Sequence, residues 1–213
     1  MKKPLGVILA GGQATRMGGG DKGLIKLGKQ TILSRVIERL EPQVANLALN
    51  ANGDKKRFDN FGLPVLPDDV EGHAGPLAGV LAGLDWAAQL GWTTIVTVAA
   101  DTPFFPCDLV PRLLEATEGM EHRLALAAAP RKAGEFTKSM SRSGLIRHPT
   151  FGIWPVALRN NLRTALTGGL RKVVLWTDPN GGRLVNFDEV ENPFFNVNTP
   201  EDLEIAKFMV NGS

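Results

Sequence analysis

The sequence predicts an α/β protein in three layers, with a mostly parallel central sheet flanked by helices. Three observations lead there. Apolar runs alternate with amphipathic helical stretches through the first 130 residues, a pattern that right-handed crossovers fold into parallel sheet. The first run, Val7-Ile8-Leu9, is uninterrupted, as a strand buried on both faces requires. Finally, Leu9-Ala10-Gly11, Asn50, Asp68 and Asp101 each stand at a strand end. Open α/β sheets bind their ligands outside those carboxyl ends.

The segment after the first strand is the densest in chemistry. Gly11 and Gly12 are followed by Arg16, Gly18, Gly19, Gly20 and Lys22. Glycine admits positive φ and close backbone approach, and successive N–H groups in such a turn form an anion-binding concavity. Arginine and lysine are the side chains best suited to phosphate. The segment reads as a triphosphate cradle; the competing reading is a surface loop with incidental charges. Gly18 to Gly23 satisfies G-x-G-x-x-G, but it lies too far from the strand and is followed by an extended alternation, Leu24 to Gly28. Gly23 to Lys29 has Walker A spacing, yet Gln30 replaces the magnesium-binding hydroxyl and the interior is apolar. Both are rejected.

Thr31 is placed to cap a helix to about Gln43, with Ile32, Leu33, Val36, Ile37 and Leu40 on one face. Leu47 to Leu49 is a second strand ending at Asn50, and Gly62 to Leu66 a third, stopping at Pro67-Asp68-Asp69. Pro76 suits the first position of a helix to about Leu90, burying Leu77, Val80, Leu81, Leu84 and Ala88. Thr94 to Ala100 is a fourth strand, Pro106 to Thr117 a helix and Leu124 to Ala129 a strand. Pro130 to His148 is polar and basic, either a substrate-facing flap or a solvated loop. Phe151 to Val156 reads as a strand, Val156 to Leu166 as a helix ended by Gly168-Gly169, and Leu170 to Trp176 as a short helix or strand. Arg183 to Phe187 is a late strand. Thr199, Pro200 and Asp202 then start a helix to about Met209, leaving Asn196 and Asn198 unexplained by capping.

Composition sets the outer limits. The 213 residues suit one α/β domain, and 43% hydrophobic with 22% charged residues is ordinary for a globule. A net charge of +2 gives no case for nucleic acid or a membrane surface. The single cysteine, Cys107, excludes an internal disulfide and a cysteine metal cluster, and reads as a small packed residue. No stretch approaches a membrane span, and Met1-Lys2-Lys3-Pro4 runs straight into the first strand, so a cytoplasmic location is expected.

Asp101, in A-A-D-T-P-F, is the best metal candidate, because magnesium takes hard oxygen ligands, one or two from protein and the rest from phosphates and water. A capping role for the following helix is the alternative. Asn198 offers a neutral oxygen that completes such a coordination.

The loop Leu9-Ala10-Gly11-Gly12, with Arg16-Met17-Gly18-Gly19 and Asp21-Lys22-Gly23, resembles the signature L-A-G-G-x-x-x-R-M-G-x-x-K of Rossmann-like (GT-A type) nucleotidyltransferases. Within them it is most similar to the molybdenum cofactor guanylyltransferases. Gly75 to Gly79, His148-Pro149 and Asn196 to Glu201 match that family's G-P-L-A-G, H-P and N-V-N-T-P-E segments in order. The resemblance fails only between about Lys132 and Leu145. It implies that Leu9, Ala10, Gly11, Gly12, Lys22, Asn50, Asp68 and Asp101 contact GTP, and that Asp101 binds Mg2+. It also implies that His148, Asn196 and Asn198 lie on the side of a molybdopterin-type substrate, so residues 1–130 form a nucleotide half and 131–213 an acceptor half. Cofactor-delivery or acceptor enzymes are the implied protein partners.

The implied reaction is attack by the terminal phosphate of molybdenum-bound molybdopterin on the α-phosphorus of GTP, releasing pyrophosphate. A phosphate monoester has a second pKa of about 6, so this nucleophile needs no activating base. None is evident, since His73, His122 and His148 lie in unrelated contexts. Arg16, Lys22 and Asp101 with its metal would offset charge repulsion and stabilise the leaving group. Guanine offers two donors on one edge, which suits the Asp68 carboxylate and cytosine cannot match. A CTP-using or sugar-phosphate nucleotidyltransferase, or a non-catalytic nucleotide sensor, are the alternatives.

Overall fold

Strand β1 (Leu5–Leu9) pairs in parallel with β4 (Leu47–Asn50) on one side and β6 (Thr94–Ala99) on the other. Leu9 stands in register with both Asn50 and Ala99, so three central strands end level. The computed structural model describes residues 2–11, 21–70, 75–130, 144–189 and 192–211. Beyond β4 lies β5 (Val65–Leu66), also parallel. Beyond β6, β8 (Leu145–Pro155) runs antiparallel to both its neighbours, β6 and β7 (Ala125–Pro130), and β9 (Arg183–Asn186) completes the edge parallel to β7. The sheet order is therefore β5-β4-β1-β6-β8-β7-β9. A small antiparallel hairpin, β2 (Lys26–Leu27) and β3 (Gln30–Thr31), stands apart from it.

Alternation along β1 sends its side chains to two cores. Ile8 packs with helix α1 (Ile32–Leu40) and helix α3 (Leu109–Ala116) on one face, Leu5 and Val7 with α2 (Pro76–Gln89), α4 (Arg159–Thr167) and α5 (Val173–Thr177) on the other. Thr31 caps α1 as its sequence requires, its hydroxyl accepting from the Ser34 N–H at 3.0 Å. The last helix, α6 (Pro200–Asn211), packs Ala206 against Leu27, Ile32 and Val197 in a small third cluster. Among the described residues no helix is long and apolar enough to cross a membrane.

Several expected boundaries shift. The third strand shrinks from Gly62–Leu66 to two residues, because a 3-10 stretch (Lys55–Phe61) ends at Gly62 in the left-handed region. On its last turn helix α2 buries Ala87 instead of Ala88, which is only half-buried. Helix α3 starts at Leu109, not Pro106, whose carbonyl accepts from the Leu109 N–H at 3.2 Å in a turn. Strand β8 starts at Leu145, six residues before Phe151, its polar first half held by the ladder to Ala127–Pro130. Residues 131–143 of the basic segment lie outside the described residues. The ambiguous stretch Leu170–Trp176 contributes to a helix, α5, and Val156–Leu158 is a 3-10 turn leading into α4. Cys107 is exposed rather than packed, its sulfur accepting from Arg39 Nη1 at 3.0 Å.

Candidate active site

The level ends of β4, β1 and β6 bring two polar clusters to one rim of the sheet. At the tip of β4, buried Asn50 donates through Nδ2 to the Leu66 carbonyl at 3.1 Å and to Asp68 Oδ1 at 2.9 Å. Asn52, two residues on, donates to Asp68 Oδ2 at 2.7 Å, and its Oδ1 accepts from the Asp68 N–H at 2.8 Å. Helix α2 makes room for this arrangement. A Cβ on Gly79 would collide with the Asn50 carboxamide and come within 2.8 Å of Leu9 Cδ2. The second glycine of G-P-L-A-G is thus a space left for Asn50. The Gly75 that precedes the helix holds φ +66°, accessible at no steric cost only to glycine.

At the tip of β6, the Asp101 carbonyl accepts from the Val197 N–H at 2.9 Å, which seats the N-V-N segment beside it. Lys22 Nζ donates to Asn198 Oδ1 and lies 3.7 Å from Asp101 Oδ2. The Lys22 and Asp101 side chains are only 18% and 19% exposed. Burial pushes the Asp101 carboxyl above the usual carboxylate range, opposed by the Lys22 charge. Asn198 itself is held from behind. Asp202 Oδ2 accepts from the N–H groups of Asn198 (3.0 Å) and Thr199 (2.9 Å), while the Asp202 N–H donates to Thr199 Oγ1 at 3.2 Å. This reciprocal cap fixes the segment as it starts α6.

One carboxylate and one carboxamide oxygen both face the Lys22 ammonium, and they are hard donors of the kind magnesium takes; among the described residues no group of three or more His, Cys, Asp or Glu lies together. Such a set leaves most of the coordination to phosphates and water.

Leu9 and Ala10 form the central tip, with Ala10 N–H donating to the Asn50 carbonyl at 2.8 Å, and among the described residues nothing would lie within 4 Å of a Cβ on Gly11. Gly12 and Arg16 lie outside the described residues, as does His73. His148 stands on β8, its ring stacked on Phe194 at 4.3 Å between centroids, and burial pulls its pKa down to about 4. Asn196 is exposed while Val197 is fully buried, which matches the alternation expected of this segment. Two contributors escaped the sequence reading. Asn52 was signalled only by its N-x-N spacing from Asn50. Arg57 pairs with Asp21 at 2.5 Å, beside Lys22, a contact between residues separated by α1 and β4 that no local pattern reveals.

Two solved structures share the fold. The molybdopterin-guanine dinucleotide biosynthesis protein A of Archaeoglobus fulgidus superposes with a TM-score of 0.70 at 20% identity, covering 98% of this chain and 100% of that one. A CMP:2-keto-3-deoxy-manno-octonic acid synthetase complexed with CTP gives 0.72 at 15% identity, covering 99% of each chain. The MobA-like NTP transferase domain model matches residues 6–180, so the class is that of the nucleotidyltransferases, on an α/β, Rossmann-like fold. A molybdenum cofactor guanylyltransferase from Mesorhizobium japonicum is 46% identical over 207 residues, covering 94% of this chain and 93% of that protein. One from Bradyrhizobium sp. is 48% identical over 206 residues, covering 95% and 91%. The chain therefore belongs to the molybdenum cofactor guanylyltransferases, within the MobA-like NTP transferase family.

Proposed function

We propose that this protein transfers GMP from GTP to the terminal phosphate of molybdenum-bound molybdopterin, forming the guanine dinucleotide cofactor and releasing pyrophosphate. One observation carries the reading: the Asp68 carboxylate, which follows β5, is held at the tip of β4 by Asn50 and Asn52, while a lysine–carboxylate–carboxamide group gathers at β6, with β1 between β4 and β6. Two strand spacings amount to about 10 Å, a span suited to a base at one end and its phosphates at the other.

In this reading Asp68 accepts from guanine N1–H and N2–H, and the backbone of Leu9, Ala10 and Gly11 lies along the nucleotide. Lys22 faces the phosphates and offsets charge that grows on the departing pyrophosphate. Arg16 is assigned to the same task. Asp101 and Asn198 would hold Mg2+, which supplies positive charge at the phosphates when bound. His148, kept neutral by burial, and Asn196, exposed at the same rim, face the pterin substrate. The acceptor phosphate is already an anion near neutral pH, so the chain needs no side-chain nucleophile. Its contribution is position and electrostatics.

The test is direct. Purified protein is incubated with metal-loaded molybdopterin and Mg2+ plus GTP, CTP or ATP, and pyrophosphate and dinucleotide product are measured. GTP alone should support turnover. Equal turnover with CTP would transfer the chain to the cytidylyl branch, and binding without turnover would make it a sensor.

A further inference from the structure

We infer that Asn52 is a specificity-determining residue: it clasps Asp68 from two sides and so sets the preference for a guanine edge. The inference rests on the assignment of Asp68 to the base. Its basis is the reciprocal pair of bonds between the two residues. Asn52 donates to Asp68 Oδ2 at 2.7 Å and accepts from the Asp68 N–H at 2.8 Å, while Asn50 occupies Oδ1 at 2.9 Å. Each carboxylate oxygen therefore receives one amide N–H, and neither Asn50 nor Asn52 can rotate its amide without losing a bond.

Each amide donor takes up one lone pair of its carboxylate oxygen, which leaves each oxygen a further lone pair for a ligand. A fixed pair of acceptors matches adjacent donors, as guanine N1–H and N2–H₂ are, and opposes the ring-nitrogen acceptors of adenine and cytosine. Asp68 is half-buried, and discrimination of this kind depends on the acceptor being left unpaired when the wrong base fills the site, which requires that it cannot swing away. Asn50 alone leaves Oδ2 and the backbone of Asp68 unrestrained. Asn52 supplies that restraint, and its own backbone is held in turn: Arg57 Nη2 donates to the Asn52 carbonyl at 2.5 Å, and Arg57 also donates to the Asp54 carbonyl. Asn52 is thus a positioning residue that acts on the base through Asp68.

Inosine triphosphate, which lacks only the 2-amino group of GTP, is the probe. The quantity read is the ratio of kcat/KM for GTP over ITP, which does not depend on the fraction of protein that is folded. The wild type should favour GTP by about tenfold or more, the value of one hydrogen bond to a charged acceptor. Asn52→Ala should bring the ratio close to unity, mainly by raising the KM for GTP with kcat little changed. Asn52→Asp keeps an oxygen for the Asp68 N–H but replaces the donor by a repelling charge, and should do the same. Asp68→Asn is run beside them. If it leaves the wild-type ratio intact, the base assignment of Asp68 is wrong. If it collapses the ratio while both Asn52 variants preserve it, Asp68 reads the base without the clasp and this inference is overturned.

Discussion

Lys22 brings a positive charge to within 3.7 Å of Asp101 Oδ2 while its ammonium donates to Asn198 Oδ1. If its role is to offset charge that grows during pyrophosphate departure, Lys22→Ala should lower kcat by about 10²- to 10³-fold, the usual loss for a transition-state donor. GTP affinity, measured by calorimetry, should fall much less. A loss confined to KM would reduce Lys22 to a binding residue. His148 makes a different prediction. Its folded pKa of about 4 lies below the ordinary value of 6.5, so between those values the unfolded chain binds a proton that the folded chain refuses. Stability is therefore full above pH 6.5 and falls as the pH drops toward 4. By pH 5 the loss from this group alone is about 2 kcal/mol. His148→Phe, which keeps a ring against Phe194, should remove that part of the acid sensitivity in urea melts at pH 7.5 and 5.

At the scale of elements, helix α2 and strand β4 meet through an absence. Gly79 has no Cβ, and the Asn50 carboxamide occupies the place one would take. Gly79→Ala gains helix propensity of roughly 1 kcal/mol, but it displaces Asn50 and with it one of the bonds on Asp68. The expected outcome is a folded protein, with a melting temperature near or below the wild type, whose KM for GTP rises about tenfold or more for the loss of a bond to a charged group. An unchanged KM would show that Asn50 is not needed to hold Asp68. The helix start at Thr199 works by the opposite means, through added bonds. Asp202 accepts from two backbone N–H groups, so α6 and the Asn198 segment form one rigid unit.

For the molecule as a whole, the two clusters lie on different strands but on one sheet. A ligand that spans them should stabilise the entire fold. At a hundredfold its dissociation constant GTP with Mg2+ adds about 2.7 kcal/mol, readable as a rise in melting temperature. CTP and ATP should give smaller rises, and omission of Mg2+ should reduce the GTP effect. Arg163 provides a second long-range tie, pairing with Asp85 at 2.6 Å and Asp69 at 3.2 Å, so α4, α2 and the segment after β5 move together.

Much of this was written locally in the chain. Val7-Ile8-Leu9 between two cores, Thr31 and Thr199 as caps, and Pro76 at a helix start each follow from short-range sterics, hydrogen bonding and periodicity. So does the placing of Asn50, Asp68 and Asp101 at strand ends, because a strand that stops in a polar residue must stop at a rim. What the sequence could not supply were the contacts between those rims. The Lys22–Asn198 bond joins residues 176 positions apart. The insertion of β8 between β6 and β7 depends on which strand completes the sheet, and no local pattern encodes that choice. The sequence pattern of β8 starts only at Phe151 because Arg147, His148 and Pro149 break the apolar alternation, whereas the strand itself starts six residues earlier, where the ladder to β7 pairs Arg147 and His148. Asn52 read as an ordinary turn residue until Asp68 came back beside it. Local chemistry determined which residues stand ready at the ends of elements; only the tertiary structure decided which of them face one another, since that is fixed by the packing of the whole sheet and not by neighbours along the chain.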